Sequence, residues 1–283
     1  MSTITLTQGG NTITVKAPEY GYDTTIGMNL HYSRVQNGYK VGDDGATYDS
    51  RYCTVPSWLM DSTDMLELSE FFNKLDKGRG QDFTLGLGSG SGFFPFGADK
   101  GDVGDFICSL WDHKKGGAMF SPFRYFQNSM TFYMVSAPAY SPGAAETEGT
   151  LSIGTVTTLR HPQTLPKPMH EQGIIRAVSR GGSVSSVDLG GSGDVYESDL
   201  DLTMKRGNCA ALITYLTGAS SAGRAGDITV VSPSGSWLFG IDQLSAGTYT
   251  TKLLTPEIKI KHESTNRFST TLKFCQQIGF QQL

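Results

Sequence analysis

Apolar and polar residues alternate along most of this chain, marking strands broken by short polar turns, with two helical interruptions. At the start, TITLTQGGNTITVK (Thr3 to Lys16) alternates on both sides of Gly9-Gly10-Asn11, the pattern of a β-hairpin. GATYDSRYCTV (Gly45 to Val55) and GDVYESDLDLT (Gly193 to Thr203) keep the period of two that a half-buried strand requires. After Asp61 the period lengthens, and Met65, Leu68, Phe72 and Leu75 recur at helical spacing on one face. Asp61 to Asp64 supply capping groups, Glu67 sits in the first turn, and Lys74, Lys77 and Gly78 mark the end. NCAALITYLTG, ending at Gly218, predicts a second helix of similar length. Each helix leads into a strand, a glycine-rich loop and further strands, closing on MTFYMV (Met130 to Val135) and on FSTTLKF (Phe268 to Phe274).

The two runs are copies of one another. GRGQDFTL and GRAGDITV share Gly78/Gly223, Arg79/Arg224, Asp82/Asp227 and Thr84/Thr229. GFFPFGAD and GSWLFGID share Gly92/Gly235, Phe96/Phe239, Gly97/Gly240 and Asp99/Asp242. Chance would give about one identity over such a length. The register continues without a gap into GDFICSL (Gly104 to Leu110) against GTYTTKL (Gly247 to Leu253). Upstream, Tyr48-Asp49-Ser50 matches Tyr196-Glu197-Ser198. The chain is an internal duplication, each copy running strands, one helix, then strands.

Composition narrows the class. The 283 residues, 38% hydrophobic and 11% aromatic, are enough for real cores, and 35 glycines with 11 prolines favour a mostly β architecture with many turns. A net charge of −4 argues against a globally basic surface for nucleic acid. The first ten residues, MSTITLTQGG, lack the basic and apolar regions of a signal peptide, and no run approaches the roughly 18 apolar residues of a membrane span. Cys53, Cys108, Cys209 and Cys275 are widely spaced, which predicts buried free thiols rather than a metal knuckle or a disulfide framework.

No catalytic, cofactor-binding or metal-ligating constellation is visible: H-E-x-x-H, G-x-S-x-G, the P-loop and the EF-hand loop are all missing. GLGSGSG (Gly86 to Gly92) lies between strands rather than before a helix, which predicts a loop and not a phosphate cradle. His31, His113, His161, His170 and His262 are dispersed and read as surface residues. Asp99 and Asp242 recur because the whole unit recurs, and Phe-Gly-x-Asp suits an Asx-type turn. Asp199 and Asp201 share one strand face, but Arg51 stands where a first-copy counterpart would be sought. Arg79 and Arg224, after a helix-ending glycine, suit the last helix carbonyls or a bidentate ion pair to a neighbouring subunit. Phe96 and Phe239, between glycines, read as core or interface anchors.

A unit of strand, ELSEFFNKL-type helix, Gly-x-Gly, short strand, aromatic glycine loop and final strand resembles the tail-tube fold of long-tailed bacteriophages. The resemblance covers about Pro18 to Val135 and about Pro166 to Phe280, best over Leu59 to Leu85 with MTFYMV. It implies a mainly β (α+β) chain of two tandem sandwich or barrel units, each with one amphipathic helix. The expected organisation is an N-terminal hairpin or arm at 1–17, a unit at 18–138, a linker at 139–165 holding one strand at TLSIGTV, and a unit at 166–283. The family is structural and ring-forming, without catalytic residues or cofactors. Two fused units would let three chains supply a pseudo-six-fold ring, a hexamer of whole chains being the other arrangement. The role implied is a distal-tail or tail-tip adapter in the virion, made in the host cytoplasm, beside tail-tube, hub and tape-measure proteins, with DNA passing the lumen unbound. Three alternatives stay open: the main tube subunit, a duplicated glycan-binding module using GFFPF and GSWLF as aromatic platforms, and an enzyme.

Overall fold

The computed structural model describes residues 2–19, 21–28, 30–35, 38–43, 50–76, 82–113, 117–121, 124–127, 129–160, 162, 169–171, 174–178, 184–188, 195–218, 226–234, 238–239, 246–264 and 266–277. The first half forms β1 (Thr3–Gln8), β2 (Asn11–Lys16), β3 (Asp23–Gly27), β4 (Leu30–Val35), β5 (Gly38–Asp43), β6 (Ser50–Val55), β7 (Trp58–Asp61), α1 (Ser62–Asp76), β8 (Phe83–Leu87), β9 (Gly104–His113), β10 (Gly117–Ser121), β11 (Arg124–Gln127) and β12 (Met130–Ser136). The second forms β13 (Leu151–Ile153), β14 (Val156–Leu159), β15 (Met169–Glu171), β16 (Ile174–Val178), β17 (Val184–Asp188), β18 (Val195–Lys205), α2 (Arg206–Thr217), β19 (Ile228–Ser232), β20 (Gly247–Leu253), β21 (Glu257–Ser264) and β22 (Arg267–Gln277). The chain is mainly β, with two helices and one large antiparallel sheet.

Strand pairing repeats as faithfully as the sequence. The first unit orders its strands β3-β6-β12-β9-β8-β1-β2, and the second orders β15-β18-β22-β20-β19-β13-β14. Phe83 faces Cys108 as Ile228 faces Thr251, and Leu85 faces Leu6 as Val230 faces Ile153. Within β10 and β11 the ladder shifts between Met119 and Ser121, and within β21 and β22 it shifts between His262 and Ser264. That repeated bulge has the spacing that relates Gly104 to Gly247, so β10 and β21 are counterparts. The hairpins β4–β5 and β16–β17 likewise correspond. Pro56, which cannot donate to a ladder, divides β6 from β7 where β18 runs on unbroken.

Two sequence expectations change here. Leu110, Phe132 and Cys53 lie in one cross-strand row, as do Leu253, Phe274 and Ser198, so the counterpart of Ser198 is Cys53 and not Ser50. The upstream match was slipped because alternating strands resemble themselves under small shifts. Second, the N-terminal hairpin is not a free arm: β1 pairs with β8, and Ile4, Leu6 and Val15 are buried. Its counterpart β13–β14 lies inside the segment expected to be linker and pairs with β19 in the same way.

Helix α1 starts where Asp61 Oδ1 accepts the N–H groups of Thr63 and Asp64, both at 2.9 Å. Leu68, Phe71 and Phe72 are buried, and Phe72 packs on Phe83 and Phe132. Met65 is partly buried against the same core, and the side chain of Leu75 lies outside the description. Helix α2 buries Cys209, Ala210, Leu212, Ile213 and Leu216. In each unit the first helical turn also holds the outermost strand. Asp64 accepts the N–H of Lys16 on β2 at 2.9 Å, and Asn208 accepts the Thr158 hydroxyl of β14 at 3.0 Å. Cys53, Cys108, Cys209 and Cys275 are free and buried, and burial pushes the Cys275 thiol up to about 11.

Candidate functional site: the junction between the units

The two sheets become one where β21 of the second unit pairs with β3 of the first, Glu257 facing Gly27 through to Lys261 facing Asp23. Thr24, Arg51, Asp102 and His262, all buried, lie at or beside this seam. Its centre is the first glycine-rich loop, whose aromatic residues face in two directions. Phe93 and Phe96 fill the core of the first unit, whereas Phe94 enters the core of the second, 5.3 Å ring to ring from Phe268. Tyr22 and Thr24 hold the loop in place: Phe94 N–H donates to the Tyr22 hydroxyl at 2.8 Å, and the Thr24 hydroxyl donates to Pro95 O at 3.0 Å.

Behind the loop lies a buried ion pair. Arg51 Nη1 and Nη2 donate to Asp99 Oδ1 and Oδ2 at 2.7 and 2.8 Å, and Nη1 also reaches Phe96 O at 2.7 Å. The Arg51 side chain is 1% exposed. Gly97, at φ 106, makes the turn possible, because a Cβ there would come within 2.8 Å of Asp99 Oδ1 and 3.4 Å of Ile213 on α2. In the first copy the Phe-Gly-x-Asp motif thus places the Asp99 carboxylate against a buried guanidinium.

A second cation completes the seam. Arg206, at the start of α2, stacks its guanidinium over Phe94 at 4.6 Å and Tyr140 at 5.4 Å, and donates to Asp102 at 3.1 Å. Beside it His262 packs against Tyr22, Phe94 and Phe268, and burial lowers its pKa to about 4. The segment leading from β12 to β13 is anchored at Glu148. Glu148 accepts Lys205 N–H at 2.7 Å, Asn208 Nδ2 at 2.8 Å and Arg267 Nη1 at 3.1 Å.

Of the residues singled out from sequence, Asp99 is at this seam. Phe96 and Phe239 are core residues of their own units, in matching pairs with Phe106 and Tyr249 at 5.6 and 5.0 Å. Arg79, Arg224 and Asp242 lie outside the described residues. Sequence reading missed Tyr22, Phe94, Arg206 and the role of Arg51, and it placed His262 at the surface. The signal available for Arg51 was its inward position in SRYCTV, where Cys53 and Val55 share its face.

Among the described glycine-loop aromatics, Phe93, Phe94, Phe96 and Phe239 are buried and offer no exposed platform. A ring cluster less buried than these lies on the first unit, where half-buried Tyr52 is 5.3 Å from Trp111 and 5.2 Å from half-buried Tyr133. Trp111 is 65% exposed. Among the described residues no group of three His, Cys, Asp or Glu side chains could hold a metal ion, and no helix is long and apolar enough to cross a membrane. No protein-family model matches the sequence, and no curated protein matches it.

Proposed function

We propose that this chain is a structural ring component of a bacteriophage tail, a distal-tail or tail-tip adapter that surrounds the DNA channel and links the tail tube to the hub. The observation that carries the reading is the seam: two copies of one fold joined head to tail through β21 and β3, the contact a ring of such units repeats. The buried groups support it. Phe94 of the first copy is buried in the core of the second, and Arg206 of the second copy stacks on Phe94 and bonds Asp102 of the first, so both fix one unit against the other. Three chains then supply six units.

Electron microscopy of the purified protein tests this. Discrete rings with an axial hole and three copies are expected, and labelled antibody should mark the tail tip of intact particles. Long tubes would favour the main tube subunit, six whole chains a hexamer, and a monomer within intact particles would overturn the ring altogether. The rings of Tyr52, Trp111 and Tyr133 favour one other reading, a glycan-binding face, which binding on a carbohydrate array, abolished by Trp111→Ala, would support.

A further inference from the structure

The second unit fills a cleft that the first leaves open. Counting from the helix starts, Asp61 and Asp64 stand where Lys205 and Asn208 stand, and Thr14 corresponds to Thr158, because Val15 faces Ile4 as Leu159 faces Leu151. In the second unit the segment from Glu146 to Gly149, on its way into β13, lies across these three residues. The N–H groups of Glu148 and Gly149 donate to Thr158 O at 3.0 and 3.2 Å, Glu146 N–H donates to Asn208 Oδ1 at 3.1 Å, and Lys205 Nζ donates to the Glu146 carboxylate at 2.6 Å. Glu148 also accepts the Lys205 N–H, which caps α2 from outside the helix. In the first unit the same place is a cleft of about 320 Å³, lined by Thr14, Lys16, Leu59, Met60, Asp61 and Asp64 among others, and no described residue fills it.

We infer that this cleft takes an extended, basic segment of a partner protein, held as Glu146 to Gly149 are held in the second unit. Such docking does not depend on the chain forming a ring. Main-chain groups stand ready for it. Lys16 turns its N–H to Asp64 and its carbonyl to Trp58 Nε1, both at 2.9 Å, and Thr14, two residues earlier on β2, turns its own N–H and carbonyl the same way. Charge selects the partner. Where the second unit offers Lys205 and Arg267 to Glu146 and Glu148, the first offers the carboxylates of Asp61 and Asp64, with Glu67 and Glu70 farther along the helix beside β2. Asp61 already caps its own helix, so no incoming acid is needed there. The Glu146 to Gly149 segment of a second copy would be repelled, and it is engaged in its own unit. The footprint is short. A Cβ on Gly207 would come within 2.2 Å of Ala144 O, and Thr63 stands at that place in the first unit, so an occupant turns away beyond the position of Glu146.

The probe is Ala-Ala-Lys-Thr-Lys-Gly, the sequence of residues 144–149 with lysine for both glutamates, joined ahead of Ser2 so that it enters β1 as residues 144–149 enter β13. A matched chain carries Ala-Ala-Glu-Thr-Glu-Gly. Hydrogen–deuterium exchange of residues 11–16, read by mass spectrometry, reports whether the outward amides of β2 are covered. Exchange there should be about fivefold slower with the basic extension than with the acidic one, the discrimination of a partly exposed ion pair. Asp61→Asn combined with Asp64→Asn keeps a capping side chain and gives position 64 the amide that Asn208 supplies, so it should abolish the difference in a folded chain. Wild-type circular dichroism checks that folding. The free basic peptide, blocked at both ends and in excess over the unextended protein, should protect the same residues, as a partner's segment would. Equal exchange in the two extended chains, a preference that survives the two substitutions, or a free peptide without effect would overturn the inference. So would protection of residues 11–16 that rises with the concentration of the unextended protein alone, since that would give the cleft to a second copy.

Discussion

Arg51 occupies an inward position on β6, and its guanidinium reaches Asp99 and Phe96 O with 1% of its side chain exposed. A charge so placed depends on its partner, because removing one member of a buried pair leaves the other desolvated. Asp99→Ala should therefore cost about 3–5 kcal/mol in urea denaturation, whereas a loss near that of a surface substitution would show that water reaches the pair. His262 offers the complementary test by pH. The unfolded chain binds a proton there near pH 6.5 and the folded chain only near 4, so stability contributed by the neutral ring is complete above 6.5 and lost as pH falls towards 4. The full window is worth about 3 kcal/mol. His262→Leu should flatten the fall in urea midpoint between pH 7 and 4.5, and an unchanged slope would assign the acid sensitivity to other groups. Neither residue announced its role in the sequence. An inward arginine on an alternating strand hints at a buried pair, but its partner lies 48 positions away and is brought near only by the fold.

At the level of elements, what was legible followed from local periodicity. The first helix, its Asp61 cap and the buried Leu68 and Phe72 were all present in the spacing, while Phe71 escaped because it sits beside the predicted stripe. Strands were harder to register than to find, as the slip between Ser50 and Cys53 shows: alternation fixes which face a residue takes, and only pairing fixes which residue it meets. The terminal hairpin was legible as an element but not in its place, since nothing in TITLTQGGNTITVK states that β1 will pair with β8. Deleting residues 1–16 removes the buried Ile4, Leu6 and Val15 and uncovers β8, so the first unit should lose its cooperative melting transition. If the shortened protein melted like the full chain, the hairpin would be an accessory after all.

For the whole molecule, the repeat was readable because each copy preserves its glycines and aromatics, but the relation between copies was not. A duplicated sequence fits two independent domains on a linker as well as it fits two units sharing one sheet. The difference lies in Phe94, encoded in the first copy and buried in the core of the second, and in Arg206, encoded in the second and bound to Asp102 of the first. A core that borrows residues across the repeat cannot unfold by halves. Differential scanning calorimetry should accordingly show a single transition for the isolated protein, with calorimetric and van't Hoff enthalpies in agreement. Phe94→Ala should lower that transition as a whole, by about 3–5 kcal/mol, although it removes a side chain from only one copy. Two resolved transitions in the wild type would show that the units are thermodynamically separate. A variant in which only one half melted early would place Phe94 in its own unit and leave the seam held by β3 and β21 alone.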